Sequence, residues 1–444
     1  MSRSVESQGE LLRVLGIAFG IATVVGGAVG QGILRTPGLV AGVIPVPSLI
    51  LALWALGGLI ASINAVACAE LGAAIPCAGG PYVFVDRAFG RTAGTIVGWS
   101  DWFTNLSAQA FMAVVVAEFI QRLGLVSLPV GVMAPLLIGL FFLVNLGHTR
   151  FCGSTQSFGS AVKGIGLLAL VLILFAFAPA GPPAAPAPGA AVPFAFTIGA
   201  IAIAMRAVQN TYDGWNNCIY FCEEMTDPGR QVPRSLFAGI AVVTLLYLSV
   251  NAALLHSLGP AGMAASNLPA ADALASAIGP WAGTAMTLFG IVSVAAILNL
   301  NVMFGPRIAL AMSRNGLLPR ALSAVRPNGS PLIALVTGCG LAAIMAASGS
   351  YEDLITFNVA LGFVINSAVC LAAWRLRSTE PAMPRPWRMP LHPFSIVFAV
   401  LVNLGLLAAM IAEDPFHSLA GIGAAVLIGV GSSLMTAGPR RQAA

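Results

Sequence analysis

Charge is what this sequence lacks. Asp, Glu, Lys and Arg make up only 8% of its 444 residues, against roughly 25% in an ordinary soluble domain. Hydrophobic residues make up 58% and the mean hydropathy is +0.91, so no soluble fold can bury the apolar surface and keep a solvated exterior. Histidine is also scarce. His148, His256, His392 and His417 stand apart and share no metal-ligand spacing, and no nucleophile elbow or phosphate loop accompanies them. An embedded enzyme is therefore the weaker reading, and no cofactor or metal is expected. None of the seven cysteines lies in a predicted outer loop, which argues against extracellular disulfides. Cys218 and Cys222 have helical spacing but no partner histidine.

What is present is a series of long apolar stretches, each near the ~20 residues that a helix needs to cross a bilayer. Helices are the only reading, because lipid cannot satisfy exposed backbone groups and the stretches are too long and too evenly apolar for barrel strands. Twelve spans are predicted, at 14–43, 46–74, 93–120, 129–147, 157–180, 195–221, 236–257, 282–312, 331–348, 353–374, 393–412 and 416–436. The net charge of +5 does not suggest nucleic acid; its distribution gives topology instead. Sixteen of the 21 Lys and Arg residues fall at the termini or in even-numbered loops, and only Arg122 falls in an odd-numbered one. The positive-inside rule then puts both termini in the cytoplasm, and the first span can serve as the insertion signal. A Pro-rich linker at 181–193 joins spans five and six outside, and a short surface helix is expected around Ala270–Ile278.

The informative feature is where helices break. The first span contains Val24-Val-Gly-Gly-Ala-Val-Gly-Gln-Gly-Ile-Leu-Arg-Thr-Pro-Gly38, and the sixth contains Gln209-Asn-Thr-Tyr-Asp-Gly-Trp-Asn-Asn217. Glycine alone also serves close helix packing. Broken helices at corresponding positions of two halves point instead to a transporter binding site. The N-terminus of a half-helix presents free N–H groups and partial positive charge, which suits a carboxylate. Gly30, Gln31 and Gly32 are the candidates, and glycine lets a ligand approach the backbone closely. The C-terminal end of a half-helix offers carbonyls to an ammonium. The candidates are near Gly27 and around Asn210 and Thr211, with Asp213 adding charge beside Gly214. An α-amino acid presents both groups together.

These residues carry a resemblance. Val29-Gly-Gln-Gly-Ile-Leu-Arg-Thr-Pro-Gly38, Ala69-Glu-Leu-Gly-Ala-Ala-Ile-Pro-Cys-Ala-Gly-Gly-Pro-Tyr82, Tyr212-Asp-Gly-Trp-Asn-Asn217 with Glu223–Arg234, Arg307–Pro319 and Arg385-Pro-Trp-Arg-Met-Pro390 lie in order along the chain. Together they resemble the amino acid–polyamine–organocation superfamily, most of all its L-type amino-acid transporters and their bacterial relatives. The resemblance implies an all-α integral membrane protein of twelve transmembrane helices. These would form a five-plus-five inverted repeat of the LeuT-like kind, with helices 1 and 6 broken and two helices added. The first repeat would occupy 1–180, the second 194–378, and the added helices 393–437. It implies amino-acid transport by alternating access in a bacterial inner membrane, as a monomer or homodimer. A polyamine or organic-cation antiporter is the alternative. The chain departs from the pattern at Asn210 and Thr211, where many relatives carry an aromatic gate. It also lacks the outer-loop cysteine that bonds an accessory chain in eukaryotic relatives, so no such partner is expected.

Charges inside a membrane are functional suspects. Lys163 matches a lysine that proton-linked or exchanging relatives place against the first break, where sodium sits in sodium-coupled cousins. The resemblance thus implies sodium-independent transport; the alternative for Lys163 is snorkelling to the surface. Arg35 and Arg206 fall in the outer halves of the broken helices. They either read a second carboxylate or pair with Glu118. Asp213 is an amine contact, a proton site or a polar group capped within the break.

Overall fold

Helices dominate because the backbone of an apolar run in lipid must satisfy its own hydrogen bonds. The computed structural model describes residues 11–435 apart from 125, 148, 179–197, 267, 327–328, 349–350 and 414. The Pro-rich linker at 181–193 therefore lies outside the described residues. The first two helices, α1 (Ile17–Ala28) and α2 (Gln31–Val43), are separated by Val29 and Gly30 and bend by 44°. There follow α3 (Pro47–Ala74), α4 (Pro81–Phe89), α5 (Arg91–Arg122), α6 (Val130–Asn145), α7 (Thr149–Phe177) and α8 (Ile198–Tyr212). A 3-10 helix over Asn217–Glu224 leads to α9 (Pro228–Ala265), α10 (Pro269–Ile278) and α11 (Trp281–Arg314). A short 3-10 turn over Arg320–Ser323 precedes α12 (Leu332–Ser348), α13 (Tyr351–Thr379), α14 (Phe394–Glu413) and α15 (Pro415–Met435).

Seven of these helices are long and apolar enough to cross a membrane, and the bent α1–α2 pair makes eight. Helices α6, α12 and α15 are shorter but apolar. Their outward faces carry exposed Leu140, Leu143, Ile344 and Leu427, as a lipid-facing surface requires. The protein is an integral membrane protein.

Several helices overrun the apolar segments that announced them. Helix α9 starts eight residues before the predicted 236, where Pro228 takes the first position and the Asp227 side chain accepts from the Arg230 N–H at 3.4 Å. Hydropathy marks what lies in lipid, whereas caps and prolines mark where a helix begins. At its other end α9 bends at Gly259 (φ 65°), before Pro260. Helix α4 was not expected; it is one short stretch held between Gly80 (φ 56°) and Gly90 (φ 85°). The expected surface helix is found as α10. The sixth span departs most: beyond its break the chain winds as 3-10 rather than α-helix.

Packing sorts the helices into two groups. Helices α1, α2, α3, α8 and α9 lie against one another, while α5, α6, α11 and α12 form a second group. Helices α13 and α15 also pack on α5, and α7 touches α1, α9 and α11. Polar side chains tie elements across the bundle. Asn145 donates to Asn299 at 2.8 Å, Asn105 to the Asn301 carbonyl at 3.0 Å, and Asn403 to Asn64 at 2.9 Å.

Candidate functional site

The two breaks meet. Gly214, in the turn after α8, has φ 90°, a left-handed conformation that glycine adopts without penalty. A Cβ there would come within 2.8 Å of the Gly27 carbonyl carbon, and one on Gly27 would come within 2.7 Å of the Gly214 oxygen. Only glycine at both places lets the two backbones touch. The adjacent glycines serve the same end: Gly32 lies against the Thr211 side chain and Gly30 against Ile297 of α11. Gly30 precedes α2, so the first N–H groups of α2 begin at Gln31 and Gly32, where a helix has no internal acceptor for them. The backbone of Gln31 opens α2; its side chain lies outside the described residues.

Carbonyls of the two broken helices are taken up by side chains from other helices, α7 and α9. Lys163 of α7 is fully buried and donates to the Gly26 carbonyl at 2.7 Å. It does not snorkel. One turn away, Ser160 donates to the Ala22 carbonyl at 2.7 Å. Tyr247 of α9 holds its hydroxyl 2.7 Å from the Ala28 carbonyl and 3.0 Å from the Thr211 carbonyl, so one phenol bridges both broken helices. The ring is fixed in an aromatic cluster with Trp54 (5.4 Å) and Tyr212 (5.0 Å). Sequence reasoning missed Tyr247; its only signal is a tyrosine inside an apolar span. Tyr247 thus occupies the Thr211 carbonyl.

A cavity of about 760 Å³ adjoins the breaks, within the ~300–1,000 Å³ usual for small-molecule sites. Its wall includes Gly27, Gly30, Gly32, Asn210, Asp213 and Gly214, together with Thr211, Arg35 and Arg206. Nine of the eleven residues singled out from sequence thus line one space. The cavity runs towards the ends of α2 and α9, where Leu39, Val43 and Ser266 form its walls. Asp213 is exposed to it. Glu118, the expected partner of the arginines, is exposed on α5 and is not part of this wall. Asn105, Asn301, Asn358 and Asn366 also line the cavity, whereas Asn299 accepts from Asn145.

Sequence reasoning also missed Asp101. It lies on α5 in mid-span, is 4% exposed, and accepts from the Tyr220 hydroxyl at 2.6 Å. An acidic residue inside a predicted span was the available signal.

The opposite end of the bundle is closed. Val14 and Leu15 donate to the Glu224 carbonyl at 3.0 and 2.9 Å, and Thr226 donates back to Leu15 at 3.0 Å. Arg307 of α11 pairs with the Glu224 carboxylate at 2.5 and 2.9 Å, with both side chains buried, and its guanidinium lies 4.6 Å from the Phe221 ring. Arg314 pairs with Glu223 at 3.0 Å. Glu70, at the end of α3, takes Arg377 at 2.5 Å, Arg385 at 3.3 Å and the Met389 N–H at 2.7 Å.

The sequence that builds this site has counterparts among known proteins. Residues 10–430 match the family described as amino acid permease. The chain belongs to the amino acid permease family. That membership places it among transporters rather than enzymes. It is 25% identical over 438 residues to the serine/threonine exchanger SteT of Bacillus subtilis, covering 95% of each chain. It is 25% identical to Asc-type amino acid transporter 1 of Mus musculus, covering 94% of this chain and 80% of that one. To the large neutral amino acids transporter small subunit 2 of Oryctolagus cuniculus it is 27% identical, covering 94% and 79%.

Proposed function

We propose that this permease is a secondary active transporter that exchanges amino acids across a bacterial plasma membrane by alternating access, without sodium. The observation that carries this reading is the meeting of the two breaks at Gly27 and Gly214 on one cavity. The α2 N-terminus offers N–H groups for the carboxylate, and the Gly27 and Asn210 carbonyls with Asp213 offer acceptors for the amine. Exchange is what the name of the SteT relative describes. Lys163 supports sodium independence, since its ammonium already donates to the Gly26 carbonyl that a sodium ion would otherwise need.

Helix packing supports a five-plus-five inverted repeat. Counted as spans, the seven long helices, the bent pair, the three shorter ones and α8 with its 3-10 continuation make twelve. Helix α3 packs on α9, α5 on α11, and α6 on α12. These are spans two and seven, three and eight, four and nine: equivalent members of repeats at 1–180 and 194–378, with 393–437 added. The basic inner loops support cytoplasmic termini. The cavity running to the ends of α2 and α9 is then an outward-facing state, closed below by Glu224–Arg307. A monomer or homodimer without an accessory chain suffices.

The test is uptake of radiolabelled amino acids into proteoliposomes. Uptake should need amino acid inside and should be unchanged when choline replaces sodium. Uptake into empty vesicles that depends on sodium would overturn the mechanism.

A further inference from the structure

The cavity has an acidic floor that the recognition of an α-amino acid backbone does not use. Asp101 and Tyr220 border its deep end with Phe304. Tyr220 lies in the 3-10 helix that follows the second break and stacks on Phe304 at 4.5 Å and 17°. Its ring also packs closely on Gly80, where a Cβ would meet it at 2.7 Å, so the phenol is held by both. That fixed hydroxyl holds one oxygen of Asp101, and the other, Oδ2, is buried with no hydrogen-bond partner. A desolvated carboxylate oxygen without a donor is costly. The neighbouring amides are different, since Asn105 is spent on Asn301 and Asn358 on the Thr104 carbonyl at 2.7 Å.

We propose that Asp101, positioned by Tyr220, is the specificity residue of a side-chain subsite that takes a cationic group, so that the substrates include amino acids with a guanidinium or ammonium side chain. This rests on the amino-acid reading above and names its substrate class. Charge counting supports it. Asp213 and Asp101 line the same cavity, and a dibasic amino acid brings two positive groups to two carboxylates while its own carboxylate meets the α2 N-terminus. Arg35 and Arg206 lie on the outer side of the breaks, where they favour the carboxylate end of such a ligand. The substrate lies with its carboxylate outward and its side chain towards the floor.

Binding of L-arginine and its neutral isostere L-citrulline to the purified full chain tests the proposal. Wild type should bind arginine at least tenfold more tightly, equivalent to about 1.4 kcal/mol. Asp101→Asn should bring the two within about threefold, because the tenfold margin is set by one charge-assisted contact. Asp101→Glu keeps the charge; it should retain the preference over citrulline and shift it from arginine towards the shorter L-ornithine. Equal affinities in wild type, an unchanged ratio in folded Asp101→Asn, or loss of the preference in folded Asp101→Glu would each overturn the subsite. If neutral amino acids such as L-serine bind and arginine does not, this inference alone fails. If no amino acid binds and putrescine does, the transport reading fails as well.

Discussion

The two ends of the bundle are built from different materials. Towards the ends of α2 and α9 the cavity is bounded by exposed Leu39, by Gly42 and by Ser266, none of which carries a charge. At the other end Glu70, Glu223 and Glu224 are bound to arginines from α11, α13 and the loop after α13. A helix group that rocks must make and break contacts at both ends. The strong, directional pairs sit where the chain is closed. Buried ion pairs add little net stability over apolar packing, yet losing one partner costs about 3–5 kcal/mol. They suit a latch with two states better than a fixed strut.

The comparison can be broken first at its hinge. Lys163→Met removes the ammonium that donates to the Gly26 carbonyl, and uptake by proteoliposomes should fall to background while the protein still inserts and elutes as a single species. Normal exchange by this variant would detach the lysine from the mechanism. The latch comes next. Glu224→Gln should lower unfolding stability by about 3 kcal/mol and open the closed end. On a background lacking Cys77 and Cys152, buried Cys222 should then react with maleimide at least tenfold faster than in the parent. Equal labelling rates would show that Glu224–Arg307 does not hold the end shut.

The contact between breaks is tested by Gly214→Ala. At φ 90° the new methyl meets the Gly27 backbone, and the strain should cost about 1–3 kcal/mol, with weaker ligand binding. The smallest effect belongs to Arg87–Glu380, a part-exposed pair at 2.7 Å. The Arg87 guanidinium holds the Glu380 carboxyl below its ordinary range. A lowered folded-state value means that the pair stabilises above the unfolded pKa and that this contribution is lost as pH falls through the folded one. Because the pair is solvated, removal of Glu380 should change stability by under about 1 kcal/mol at neutral pH, and by less in acid.

Much of this was legible before any coordinates. Hydropathy located the helices, since lipid leaves no other way to satisfy the backbone. Glycine, proline and a mid-membrane polar run located both breaks, because the chemistry that unwinds a helix is local. Lys163 was legible as a charge where none is cheap. What escaped was relational. Tyr247 touches Ala28 and Thr211, 219 and 36 residues away, and Glu70 finds Arg377 across 307. Asp101 and Tyr220 are 119 apart. No periodicity records such pairings; they follow from how the two helix groups pack. The 3-10 winding of Asn217–Glu224 escaped for another reason. Its polar and aromatic residues suit several helical geometries, and tertiary contacts choose among them.

The central claim is that the two breaks together read the carboxylate and the amine of one α-amino acid. Thermal unfolding of the purified protein across the amino acids, their methyl esters and putrescine tests it most directly. Ligand at 100 times its Kd adds about 2.7 kcal/mol to the folded state, a clear rise in Tm. At least one free amino acid should give that rise, while its methyl ester and putrescine should not. Stabilisation by putrescine with none from any amino acid would contradict the account.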